Sequence, residues 1–276
     1  MLEKLVLDKE NKIISISAKV GTYEQNIYTS HILEYELYNL YLNKTKDFTR
    51  LKSEEILKFL PIRNTIHKNC SQKEIGSTGV NRNSLLGVQM FVMFKHHDDN
   101  SYRVLTIKRT ENVAAKPGFF QFIPSGGFEI FHEDDDENVL REHFSLRFSL
   151  FRELLEEAFG MEEYIHNYRG VPVENILRHK KILKLTKLLE DNKAHFEFLG
   201  SVNDVVCLRH LLAFVLRIDD IEFSRQKFEP NHESRNIRLF KINELHQIIN
   251  EGKSCNDSAG LLHLVMNNHL YQEVIH

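Results

Sequence analysis

Three glutamates, Glu153, Glu156 and Glu157, follow Arg152 in the stretch FRELLEEAFG at 151–160. At about 100° per residue, Phe151, Leu154, Leu155 and Ala158 share one helix face, and the three acids share the opposite one. Like charges at that spacing repel by a few tenths of a kcal/mol per pair. A divalent cation reverses the sign of that interaction. Mg²⁺ prefers hard oxygen ligands, takes few carboxylates and keeps water or phosphate in the rest of its shell. The cluster is therefore suited to holding Mg²⁺ or Mn²⁺ against a pyrophosphate. The competing reading is an ordinary amphipathic helix with a solvated acidic face.

The residues upstream weigh on that choice. FFQFIP at 119–124 reads as a strand running into Ser125-Gly126-Gly127, and Glu133 follows Gly127 at G-x5-E spacing. The combination resembles the Nudix hydrolase signature, G-x5-E-x7-R-E-U-x-E-E-x-G-U, in which U is apolar. Gly127, Glu133, Arg152, Glu153, Leu154, Glu156 and Glu157 match it in kind. Lys108-Arg109 ends a strand where the family often carries a basic residue. The segment 116–127, KPGFFQFIPSGG, is similar to the family's approach to its glycine pair. The resemblance spans residues 85–250.

Two departures stand out. Eighteen residues, 134–151, separate Glu133 from Arg152 where the family has seven, and Gly160 arrives one residue late. A second register exists, in which Glu133-x7 leads to Arg141-Glu142. That register puts Ser145 and Leu146 where metal-binding glutamates belong, so it describes a fold without the chemistry. The Arg152 register is preferred, because its acidic, basic and apolar positions all agree. The acidic run Asp134-Asp135-Asp136-Glu137 then lies in an insertion before the catalytic helix.

The resemblance implies roles. Glu156 and Glu157 would ligate the metal, with Glu153 a further ligand or the base for the attacking water. Arg152 would orient these carboxylates, pairing with Glu133. Gly126 and Gly127 would let the backbone approach metal and phosphate, and Arg109 would face the phosphates. A later acid often completes such sites; Glu233 is the candidate, with Glu229 and Glu222 behind it. The implied reaction is hydrolysis of a phosphoanhydride in a nucleoside diphosphate linked to another group. A Nudix-fold module that senses a nucleotide without cleaving it is the alternative, and a scaffold with a merely acidic surface is a third.

These residues need elements to position them. The chain has 276 residues, enough for one large or two small domains. Its 36 basic and 39 acidic residues give a net charge of −3, which argues against a general nucleic-acid binder or a polybasic membrane binder. Cys70, Cys207 and Cys255 are scattered and odd in number, so neither a zinc ribbon nor a disulfide framework is expected. MLEKLVLDKENK lacks an apolar signal core, and a cytoplasmic location is expected. His96-His97 falls in a hairpin turn and shows no H-E-x-x-H pattern.

Strands are expected at 3–20 (a pair), 88–94, 102–109, 119–124, 196–202, 208–218 and 237–242. Helices are expected at 52–60, where Pro61 stops the chain, and at 137–160, 174–191, 243–251 and 258–272. ILEYELYNLYL at 32–42 fits either state. The polar stretch 71–84 reads as a linker, dividing an N-terminal part, 1–78, from a Nudix-like domain, 79–276. The fold class is α+β, an α-β-α sandwich with a mixed sheet flanked by helices and an additional N-terminal α/β segment. Three roles stay open for residues 1–78: shaping the pocket, forming a homodimer or docking a partner.

Overall fold

The computed structural model describes residues 1–9, 12–42, 52–111, 117–130, 137–161, 173–231, 234–250 and 252–275. The chain forms two compact units. One comprises Met1–Leu86 with Asn203–Leu211, the other Gly87–Val202 with Leu212–His276. The sequence placed the division near residue 78.

In the first unit, strands β1 (Leu2–Leu7) and β2 (Ile13–Ala18) pair antiparallel, as expected from 3–20. A helical run follows: α1 (Tyr23–Asn26), a π turn (Ile27–His31) and α2 (Ile32–Leu42), which settles the ambiguous tyrosine-rich segment as helix. Helix α3 (Ser53–Leu57) is short, and Pro61 opens the next helix, α4 (Pro61–Ile66), instead of merely ending the one before. Proline at the first helical position forfeits only an amide that has no helical partner. The next amides, Ile62 N–H and Arg63 N–H, donate to the buried Glu36 carboxylate of α2 at 2.5 and 3.1 Å. The expected linker at 71–84 contains α5 (Gln72–Ser77). Ser71 and Glu74 form a reciprocal capping box, a local start signal in the sequence that outweighs the polar composition.

This unit carries an acid-sensitive group. Burial, with the Arg82 and Arg63 guanidiniums beside it, pushes the His67 imidazole down to about 4. In the unfolded chain it protonates near about 6.5. The unfolded state thus binds more protons between those values, and stability must fall as pH drops through that window. Urea midpoints at pH 7 and pH 5 should show a smaller acid loss in His67→Gln than in wild type. Equal losses would place the sensitivity elsewhere.

The second unit is built on a seven-stranded sheet. Its strands are β3 (Leu86–Lys95), β4 (Tyr102–Arg109), β5 (Phe120–Phe122), β6 (Ser125–Gly127), β7 (Ala194–Asp204), β8 (Arg209–Ile218) and β9 (Ser234–Lys241). The order is β5-β4-β3-β8-β7, with β6 pairing β3 and β9 pairing β4. The helices are α6 (Glu137–His143), α7 (Leu146–Phe159), α8 (Val173–Leu177), α9 (Lys180–Glu190), α10 (Leu245–Asn250), α11 (Asn256–Met266) and α12 (His269–Ile275). The charged stretch 137–160 is thus two helices, because Ser145 caps α7: its hydroxyl accepts from Phe148 N–H at 3.2 Å.

β3 is buried on both faces, so its apolar run does not alternate. Phe91 and Met93 join Val104, Ala213 and Val215 in a core capped by Leu245, Leu261, Leu262 and Val265 of α10 and α11. From the other face, Phe94 packs on Phe223 and Phe228, and Phe228 stacks on Phe159 of α7 at 5.6 Å between ring centroids. Phe214 of β8 stacks on Phe196, which meets Phe151 of α7. Burying each such phenyl contributes roughly 1.5–3 kcal/mol. Helices on both faces of one mixed sheet make the expected α-β-α sandwich with an extra N-terminal segment. Among the described residues no helix is long and apolar enough to cross a membrane.

Candidate active site

Helix α7 carries the acids and β6 faces them. Every residue of α7 from Phe148 to Phe159 is buried, the charged ones included. Arg152 is 2% exposed, Glu153 and Glu156 7% each, and Glu157 4%. A solvated acidic face is therefore excluded. Burying several carboxylates is costly unless they are paired, and the pairing is explicit. Arg152 Nη2 donates to Glu153 Oε1 at 2.5 Å and Nη1 to Glu156 Oε1 at 2.8 Å. Ser125 N–H donates to Glu157 Oε2 at 2.6 Å.

The glycine of β6 is a steric requirement. A Cβ at Gly126 would lie 2.0 Å from Glu153 Oε1. That carboxylate is anchored by Arg152, so it cannot swing away without breaking a buried ion pair. At Gly127 a Cβ would lie 2.5 Å from Glu129 Oε1. Gly127, Gly126 and Ser125 pair with Gly87, Val88 and Gln89 of β3, which fixes β6 in place. Gln89 Nε2 donates to Phe122 O at 2.9 Å and to Ser258 Oγ at 2.8 Å, tying the preceding strand to α11.

The electrostatics follow from burial and charge count. Desolvation works against the charge on Arg152, but Glu153, Glu156 and Glu129 outweigh it and hold the guanidinium above its ordinary value. Burial pushes Glu153 up, helped by Glu156 and Glu129 and opposed by Arg152. Three carboxylates thus share one arginine, and the surplus is negative. Among the described residues, the oxygens of Glu153, Glu156 and Glu157 do not converge within 4.8 Å of one another. A Mg²⁺ ion that keeps most of its water shell needs only one or two of them. This hard-oxygen set, with its surplus charge, fits such an ion.

The other expected residues fall as follows. Glu133 and Glu233 lie outside the described residues, as do Asp134, Asp135 and Asp136. The described carboxylates on Arg152 are Glu153 and Glu156. Arg109 Nη1 donates to Gln121 Oε1 at 2.6 Å. Glu229 is ion-paired with Lys227, and its N–H donates to Ala158 O at 2.9 Å, at the C-terminal end of α7. Glu222 pairs with Arg225 on an exposed turn. Arg141 and Glu142 of the rival register are exposed on α6, where Arg141 pairs with Glu137 at 2.6 Å. Gly160 adopts φ 62° as the left-handed cap of α7, so its late arrival marks a helix that runs one residue past Ala158, to Phe159. Glu129 escaped the sequence reading; its signal is an acid two residues past Gly127 in GGFE.

Several solved structures are similar to this chain. The NUDIX domain of Shewanella oneidensis NrtR, complexed with ADP ribose, aligns at 14% identity and TM-score 0.40, over 78% of this chain and 97% of that one. A Nudix hydrolase from Alicyclobacillus acidocaldarius aligns at 13% identity and TM-score 0.38, over 66% and 90%. A MutT/nudix family protein from Enterococcus faecalis aligns at 14% and 0.34, over 70% and 57%. All three are Nudix structures. At these identities and scores the likeness does not decide an activity. No protein-family model and no curated protein matches the chain.

Proposed function

We propose that this chain is a Nudix-type hydrolase that cleaves a phosphoanhydride bond in a nucleoside diphosphate linked to another group, using Mg²⁺ or Mn²⁺. The observation that carries the reading is the buried set on α7: Arg152 clamping Glu153 and Glu156, with the Glu153 carboxylate in the space a side chain at Gly126 would fill. A merely structural helix has no use for three buried carboxylates and one arginine, because an apolar face would cost less.

Glu156 and Glu157 would hold the metal. When bound, that ion supplies charge neutralisation at the phosphoryl oxygens. Arg152 keeps Glu153 and Glu156 oriented. Glu153, raised by burial, is placed to take a proton from an attacking water. Gly126 keeps the strand backbone close to that carboxylate. A nucleotide-type small molecule is the substrate.

The test is a panel of NAD, ADP-ribose, nucleotide sugars, dinucleoside polyphosphates and nucleoside triphosphates, with Mg²⁺ or Mn²⁺ and with and without chelator. Turnover that chelator abolishes and that disappears in Glu157→Gln is the expected result. If every substrate survives while one nucleotide binds tightly, the chain is a sensor.

A further inference from the structure

The β3–β4 turn holds a second group of metal-binding side chains. His96, His97 and Asp98 each present a ligand atom, and these atoms lie within 4.8 Å of one another. They are the only three such groups to converge among the described residues. His96 Nδ1 lies 3.4 Å from Asp98 Oδ2, and His97 Nε2 lies 3.2 Å from Asp98 Oδ1. The imidazoles stack at 4.6 Å between centroids.

The hydrogen bonds around His97 decide which of its nitrogens faces the carboxylate with a lone pair. Ser224 Oγ donates its one proton to Ile221 O at 2.7 Å. It accepts from His97 N–H at 3.0 Å. Its 2.8 Å contact with His97 Nδ1 must then be a bond donated by the imidazole. In neutral His97 the proton is on Nδ1, and the Nε2 lone pair points at Asp98. His96 Nδ1 accepts from Asp98 N–H at 3.4 Å, a long bond that a metal ion at this nitrogen would displace. The His97 Nε2 lone pair and the Asp98 carboxylate therefore face each other at 3.2 Å, a repulsive arrangement unless a proton or a metal ion lies between them. Charge-assisted N–H···O bonds are about 2.7–2.9 Å long. Two ligands about 2.0–2.1 Å from a tetrahedral ion lie about 3.3 Å apart, and each imidazole nitrogen lies at about that distance from one oxygen of Asp98, 3.4 Å for His96 and 3.2 Å for His97.

The turn is held ready by other groups. Asp99 accepts from Ser101 and Arg103 and pairs with Lys241, so it stays out of the cluster. Asn100 takes φ 54°, and its N–H closes the turn on His96 O at 2.9 Å. The side chains are 15%, 30% and 67% exposed for His96, His97 and Asp98, open enough for an ion to enter. Gly126 pairs with Val88 near the start of β3, eight residues before His96. At about 3.3 Å per residue, roughly 26 Å of strand lies between Val88 and His96.

We infer that this turn binds one borderline divalent transition-metal ion of the Zn²⁺ class, through His96, His97 and Asp98, with Ser224 positioning the His97 ring. Two imidazole nitrogens and a carboxylate select such an ion over Mg²⁺.

The full chain, saturated with Mg²⁺ to occupy hard-oxygen sites, is titrated with Zn²⁺ by calorimetry. Wild type should bind one equivalent that is lost in His97→Gln and in Asp98→Asn. Ser224→Ala should weaken it about 10–100-fold, as for other groups that orient a metal-binding histidine. Substitution with Co²⁺ should give a tetrahedral visible spectrum in wild type and not in His97→Gln. Equal Zn²⁺ binding by wild type and both ligand variants would overturn the proposal and leave an imidazolium–carboxylate pair in the turn. Should a variant fail to fold, the wild-type ring ¹H–¹⁵N signals decide. His96 and His97 shifting together at one equivalent of Zn²⁺ supports the site, and unmoved signals overturn it.

Discussion

Replacing Glu153 by Gln should lower kcat by at least about a hundredfold, the range expected when a positioned proton acceptor is removed. Glu142→Gln should leave kcat within about twofold. The two residues differ in surroundings, not in chemistry. Glu153 is buried, 2.5 Å from Arg152 and against Gly126, and burial raises its affinity for a proton. Glu142 is exposed on α6. The amide of Gln has nearly the same shape as the carboxylate, so Gly126 still accommodates it, but it carries no charge for Arg152 and takes no proton from water. Steady-state hydrolysis of the best substrate in the panel measures both. The reverse ranking would move the chemistry to α6 and remove α7 from the active site.

The second large effect is on stability. Arg152→Met should cost about 3–5 kcal/mol, the usual penalty for removing one partner of a buried ion pair. Methionine fills much of the volume, so cavity formation adds little. What is lost is the cation between Glu153 and Glu156, whose carboxylates then face each other in a dry site. Saturating Mg²⁺ should recover part of the loss, because an ion that binds only the folded state stabilises it by mass action. Urea denaturation of wild type and variant, with and without Mg²⁺, tests both halves. A loss under about 1 kcal/mol would show that the ion pairs of Arg152 with Glu153 and Glu156 contribute little to stability.

Much of the sheet could be read directly. β3 and β4 are apolar runs flanking a polar turn, and that contrast survives folding because β3 has cover on both faces. Helix boundaries were less legible. Pro61 reads as a stop in isolation, yet it opens α4 because Glu36, some 25 residues earlier, supplies the cap. The capping box at Ser71 and Glu74 was in plain view but lay in a stretch too polar to suggest a helix.

The residue types and spacings of 151–160 by themselves determined that three acids and an arginine share one region of a helix, and that glycines precede it on a strand. Whether that face was solvent or site was a question only packing could answer. Periodicity assigns residues to faces of a helix, but it does not say what covers each face. In the folded chain α7 is covered all round, so the acids must find partners, and Arg152, Ser125 and the space at Gly126 supply them. The same holds for His96, His97 and Asp98. In sequence they are a polar turn, and their meaning comes from Ser224, more than a hundred residues away, whose hydroxyl turns one imidazole lone pair toward a carboxylate.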